Sequence, residues 1–391
     1  MSRKTRLSLL ISSIICTPLT AHAIQITDYW VPKSEYQQAF LLGKFNSKTG
    51  NQDTTSYNLT MEGNYDYNLT SLPRNWRVLL DGIANVSHGP NDEDKTDKNI
   101  IANAHANVDN YFKEGEKLFW FGSADLGYLD DADDQFAKIG AGIGYGRVIN
   151  ATPLAKTLRV EEELREHGVV IGQMKDADYL AVARVIDRES EFRSRYGAEE
   201  YKSYWFGEIE SRLKAAGVLK NGQLGASGAI HMDRVLDAES ISVRKHGWVV
   251  RGGVGLVVQD FNGNKGDPSL DFEWEYAIPN GYKGQFINTL NYSTVLADHT
   301  DQTFRNTMTY THEIGDRIDW ENKWRAVFQV SGGNANDILT NIVSSTFRYY
   351  LTNRINLDAT VAITNVEDDI DGNNNDDTDV TTFLGVRYRL K

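Results

Sequence analysis

DRIDWENKWRAVFQVS, residues 316–331, reads with period two. Ile318, Trp320, Asn322, Trp324, Ala326, Phe328 and Val330 fall on one face, and Asp319, Glu321, Lys323, Arg325, Val327 and Gln329 on the other. Soluble half-buried strands alternate in this way over about four to eight residues. A tilted strand needs about nine to eleven to cross a bilayer, and this stretch sustains the pattern that far. Its apolar face is rich in Trp and Phe, while its polar face carries full charges, as a wall between lipid and water requires.

The same reading spreads in both directions. Leu270, Phe272, Trp274, Tyr276 and Ile278 alternate with Asp271, Glu273 and Glu275. Ile355, Leu357, Ala359, Val361 and Ile363 alternate with Asn356, Asp358, Thr360 and Thr364, and Tyr57, Leu59, Met61, Tyr65 and Tyr67 with Asn58, Thr60, Glu62, Asn64, Asp66 and Asn68. Six such segments lie near 35–46, 54–69, 74–88, 99–112, 117–129 and 135–149. Eight more lie near 243–260, 269–279, 281–296, 302–314, 317–331, 339–352, 354–366 and 379–390. The predicted fold is an all-β transmembrane barrel of about 14 antiparallel strands, with an α-helical insert after strand 6. Mean hydropathy is only −0.46, which is no objection, because a barrel presents its lipid face as every second residue.

Residues 1–23 read as a secretory signal: Arg3, Lys4 and Arg6, an apolar run over 7–15, then Ala21-His22-Ala23. Cleavage there starts the mature chain at Ile24 and removes the sole cysteine, Cys16, leaving no disulfide framework. Ile15 is too bulky for Cys16 to serve as a lipidation site. The expected layout is strands 1–6 over 24–149, the insert over 150–240 and strands 7–14 over 241–391. Odd-numbered connections are long and acidic and even-numbered ones short, which puts the termini and the insert on the periplasmic side.

The insert opens with Asn150-Ala151-Thr152-Pro153, where Thr152 is expected to cap a helix and Pro153 to occupy its first turn. Gly168, Gly197 and Gly217 sit where helix C-termini favour a left-handed residue. Tyr201, Tyr204, Trp205, Ile209 and Leu213 are expected on one buried helical face. No phosphate loop, nucleophile elbow or metal-ligand spacing stands out, and His167 and His231 read as lone surface or capping residues. The net charge of −13 and the mixed charges of the insert exclude nucleic acid as a partner.

Chemistry is expected inside the barrel. Glu62, Asp66, Asp81, Asp109, Asp125, Asp271, Glu273, Glu275 and Glu321 fall on the polar face, as do Arg305, Lys323, Arg325, Arg348, Arg387 and Arg389. Acids gather early and bases late, a division that either sets a transverse field across a pore or pairs off to fill it. The loop 367–377 partly matches a calcium loop, with Asp369, Asp371, Asn373 and Asp376 as candidate ligands, although Thr378 stands where a bidentate Glu is usual. His105 and Asp109 share one face of a strand and read as lumen filler.

The chain as a whole resembles Gram-negative outer-membrane β-barrels of porin-like type. The resemblance runs through nearly all the mature sequence and into the last strand, FLGVRYRLK over 383–391, which ends in Leu390-Lys391 where a terminal Phe is usual. It implies residence in the outer membrane among lipid and lipopolysaccharide, delivery by the barrel-assembly machinery, and a channel for small hydrophilic solutes gated or plugged by the insert. An export or docking component whose insert binds periplasmic machinery is the alternative. A surface hydrolase is the third reading: Asp298-His299 with Asp130, Asp131, Asp133 and Asp134 resembles the omptin proteases. No cofactor is implied beyond calcium at the outer loops.

Overall fold

The computed structural model describes residues 24–239, 241–297, 300–332, 336–352, 354–368 and 377–390. The predicted signal segment, the candidate calcium ligands Asp369, Asp371, Asn373 and Asp376, and the Asp298-His299 pair all lie outside the described residues. Fourteen antiparallel strands close into one barrel in which every neighbour in sequence is a neighbour in space. They are β1 (Lys33–Lys48), β2 (Ser56–Ser71), β3 (Arg74–His88), β4 (Asp97–Tyr111), β5 (Leu118–Leu129), β6 (Phe136–Asn150), β7 (Lys245–Gln259), β8 (Pro268–Asn280), β9 (Gly284–Val295), β10 (Gln302–Gly315), β11 (Ile318–Val330), β12 (Ile338–Tyr350), β13 (Ile355–Glu367) and β14 (Asp379–Arg389). All the short turns, both strand termini and the insert share one end, here the turn end; the longer loops share the other, the loop end.

Register decides which side chains face outward. Trp320 sits opposite Phe347, Trp324 opposite Met308 and Val343, and Phe328 opposite Phe304 and Leu339. This apolar set continues round the wall through Val361, Ile363, Leu384, Leu126, Ile143, Val254 and Phe272, all exposed. A belt of exposed hydrophobics on a closed sheet has no place in water and is covered by the hydrocarbon of a bilayer. No described helix is long and apolar enough to cross a membrane, so the strands alone do so. The closing seam is short: β1 meets β14 over Phe40–Arg389 to Gly43–Val386, four residue pairs, whereas β1 and β2 pair over sixteen.

The insert holds four helices, α1 (Thr152–Glu166), α2 (Asp176–Ile186), α3 (Glu189–Ala215) and α4 (Gly225–Asp233), and a final π turn, Arg234–Ala238. Gly168 (φ 67°) and Gly217 (φ 73°) end α1 and α3 as the sequence suggests, and Gly197 (φ 78°, ψ 167°), with a non-helical backbone, breaks α3 into two helical pieces across a kink. Two local expectations change. Thr152 does not cap α1 with its side chain; Asn150 does, its Oδ1 accepting from the Thr152 amide at 3.1 Å and hydroxyl at 2.6 Å. Tyr201, Trp205, Ile209 and Leu213 are buried, but Tyr204 is half exposed and stacks on Tyr196 at 3.9 Å between ring centroids. Four-residue spacing keeps a stripe together on a helix, and the three-residue step from 201 to 204 falls off its edge. Ile24, Ile26, Tyr29 and Val31, which precede β1, are buried in the same core as the four helices.

Candidate functional site: a charged lumen capped at one end

The inner wall is crowded near the turn end. Phe119 and Phe121 on β5 point inward over β6, where Gly142 and Gly144 give them room. A Cβ at Gly144 would run into the Phe119 ring, and one at Gly142 into both Phe121 and the Gly252 carbonyl. The glycines of β6 therefore let aromatic rings fill the lumen and let the sheet curl tightly.

Three guanidinium groups then bridge the interior. Arg251 on β7 donates to both oxygens of Asp109 on β4, at 3.0 and 2.7 Å, and to Glu273 at 2.8 Å. Asp109 is only 1% exposed, and Asn107 also donates to it at 3.0 Å. Arg77 on β3 reaches Glu275 on β8 at 3.3 Å, five strands along the wall, or roughly 24 Å of sheet at about 4.8 Å per strand. Arg147 on β6 lies over the Tyr111 ring and donates to the carbonyls of Ser71, at the end of β2, and Leu72, in the turn to β3, at 2.7 and 3.0 Å. A small polar cavity remains among Tyr36, Asn68, Asn75, Arg77, Arg147, Lys245, Arg251 and Glu275.

The wall is different at mid-height. Glu62, Asp81 and Asp125 face inward on β2, β3 and β5, with Lys44 (2.7 Å), Asn103 (2.9 Å) and His105 (2.6 Å) beside them. Asp66 shares their face of β2. Arg305, Lys323 and Arg325 face inward on β10 and β11, seven to eight strands from β3 and so on the opposite wall. Lys323 and Arg325 are exposed to the lumen, and none of the three bases has an ion-pair partner among the described residues. Between these walls Asp271 takes Lys138 at 2.8 Å, while Asp358 holds Arg348 at 3.0 Å and Arg387 at 2.9 Å. Glu321 and Arg389 also point inward, facing Thr346 and Phe40 across their ladders.

Sequence reasoning missed Lys44, Arg77, Lys138 and Arg251, which pair with Glu62, Glu275, Asp271 and Asp109, Arg147, which answers backbone carbonyls, and the role of Asp358 among the late bases. All but Arg147 stand at inward period-two positions; what the sequence lacks is the partner, which lies one strand away for Lys44, two for Lys138, three for Arg251 and five for Arg77. His105 turns to Asp125 on the neighbouring strand, and Asp109 serves Arg251 instead of His105.

The insert lies over the turn end. Arg159 of α1 reaches Asp316, in the turn between β10 and β11, at 2.7 Å, and Glu239 at 3.0 Å. Tyr282, in the turn between β8 and β9, donates to Glu162 at 3.0 Å. Asp187, just past α2, accepts from Ser34 of β1 at 2.9 Å. Arg244, fully buried, donates to Glu313 at 2.6 Å and to the Tyr282 carbonyl at 2.9 Å. These anchors touch the rim at β1, β8–β9 and β10–β11, and the insert's own stems sit on β6 and β7. Helix α1, buried along most of its length, is clamped between the other helices and the barrel.

No protein-family model and no curated protein matches the sequence. Among solved structures, the chain is similar to the translocator domain of the autotransporter NalP from Neisseria meningitidis, at 7% identity over 93% of this chain and 92% of that one, with a TM-score of 0.28. A loop L8 deletion mutant of OmpT, an outer membrane protein of Vibrio cholerae, matches at 9% identity over 92% and 100%, TM-score 0.31. The CymD monoaromatic hydrocarbon channel matches at 10% over 92% and 89%, TM-score 0.28. The weight of the assignment rests on the molecule itself. With fourteen strands closed on themselves, an apolar belt outside and charges within, the chain is an outer-membrane β-barrel.

Proposed function

We propose that this barrel is a channel for small hydrophilic solutes and that its helical insert closes the periplasmic mouth. The observation that carries the reading is the pair of opposed charged walls at mid-height, acids on β2, β3 and β5 and, on β10 and β11, bases with no ion-pair partner among the described residues, above an end capped by helices. Opposite charges facing one another across water orient a polar or zwitterionic solute and tune which ions pass. Nearer the turn end the charges pair across the interior and hold it shut, whereas Arg305, Lys323 and Arg325 have no ion-pair partner among the described residues. His105 and Asp125 are read as lining, and the protein as a conduit and not an enzyme.

The turn end is assigned to the periplasm from its short connections and the two chain termini. The register supplies a direct test, because β6 and β7 pair as far as Asn150–Lys245, so a short turn can replace the insert without removing a ladder rung. In planar bilayers this shortened chain should conduct several-fold more than the parent. Equal conductance, with loss of a cross-linked periplasmic protein, would shift the insert to a docking role.

A further inference from the structure

Outside the lumen, one cluster in the insert has the chemistry of a metal site. Glu163 and His167 stand one turn apart on the last part of α1, and α4 brings His231 against them. The two imidazole rings stack with centroids 3.5 Å apart at 28°, and one ligand atom from each of the three residues lies within 4.8 Å of the others. Glu163 is 2% exposed, whereas both histidines are open to solvent on one side, which gives an ion a route in.

We propose that Glu163, His167 and His231 form a binding site for one divalent transition-metal ion of the zinc type. Two imidazoles and a carboxylate suit zinc, nickel or copper and not calcium or magnesium, which prefer all-oxygen cages. Three protein ligands leave a fourth position for water, so the site is open. His167 Nδ1 lies 2.9 Å from the Glu163 carbonyl oxygen, an outer contact that fixes the ring. Two cations compete with the metal ion: Arg234 lies 3.3 Å and Arg159 3.8 Å from the Glu163 carboxylate. Arg234 also reaches Asp316 at 3.4 Å and Glu239 at 3.6 Å, so it keeps partners when a metal takes its place.

The test is calorimetric titration of the untagged full chain in detergent with zinc, after treatment with a chelator. One equivalent should bind, nickel and copper should compete, and magnesium and calcium should not. His167→Ala with His231→Ala should weaken binding by about tenfold or more, with unchanged circular dichroism. Arg234→Ala should tighten it several-fold, a gain that misfolding cannot produce. Zinc binding undiminished in the double variant, or no binding by the parent at about 100 μM, would overturn the proposal.

Discussion

Arg251 ties β7 to two other strands through the lumen, with three hydrogen bonds to acids on β4 and β8. Arg251→Met should destabilise the barrel by roughly 3–5 kcal/mol, because Asp109 is left buried without a counter-charge. Chemical unfolding in detergent would measure it. Adding Asp109→Leu to the same chain should recover most of the loss, since the penalty belongs to the orphaned carboxylate. On the outer face depth matters as much as residue type. Val361 lies at the middle of β13, so Val361→Arg should cost about 2–4 kcal/mol, whereas Phe328, near the loop end of β11, should tolerate Arg at about 0–1 kcal/mol. Equal effects at the two sites would mean that the bilayer sits elsewhere on the belt.

The docking of α2 on β1 should respond to acid. Burial pushes the Asp187 carboxyl up to about 6, with Glu191 adding to the rise, while Ser34, Tyr29 and Lys156 oppose it. The folded chain therefore keeps this proton at pH values where the unfolded chain, with a carboxyl near 3.8, has lost it. Stability falls as pH climbs from about 4 to about 6 and is flat beyond, a change on the order of 1–3 kcal/mol. Protease digestion of the insert at pH 5 and pH 7 should show better protection at pH 5, and Asp187→Asn should lose most of that difference. The strands were legible in the sequence because their period is enforced on every residue by lipid on one side and water on the other. The insert was less so. Asn150 and Thr152 are both good capping residues two positions apart, and only the path of the chain out of β6 chooses between them. The pairings of Arg77 and Arg251 were hidden for a geometric reason: curvature of the wall, set by the glycines of β6 and β7, brings together strands that sequence order keeps apart.

Closure of the whole molecule rests on the four pairs between β1 and β14. Leu41 and Tyr388 face one another there, and antiparallel partners stand about 4.5–5.5 Å apart at Cα, within reach of a disulfide. In a chain carrying Cys16→Ser, oxidising Leu41→Cys with Tyr388→Cys should give an internally cross-linked band of altered mobility on reducing-agent-free gels. Failure to cross-link in folded protein would place the last strand elsewhere. The apolar segment ahead of β1 bears on how such a barrel is made. Ile24, Ile26, Tyr29 and Val31 find their packing only among helices from the middle of the chain, and Ser34 meets Asp187 across 153 residues. A polypeptide delivered N-terminus first thus carries a sticky leader until its central third arrives. Once the two halves meet, they gather six strands into a purse whose drawstring lies at the turn end, and the first strand waits with one edge bare for the fourteenth. The packing of the chain's start thus waits on the same helices that cover the turn end.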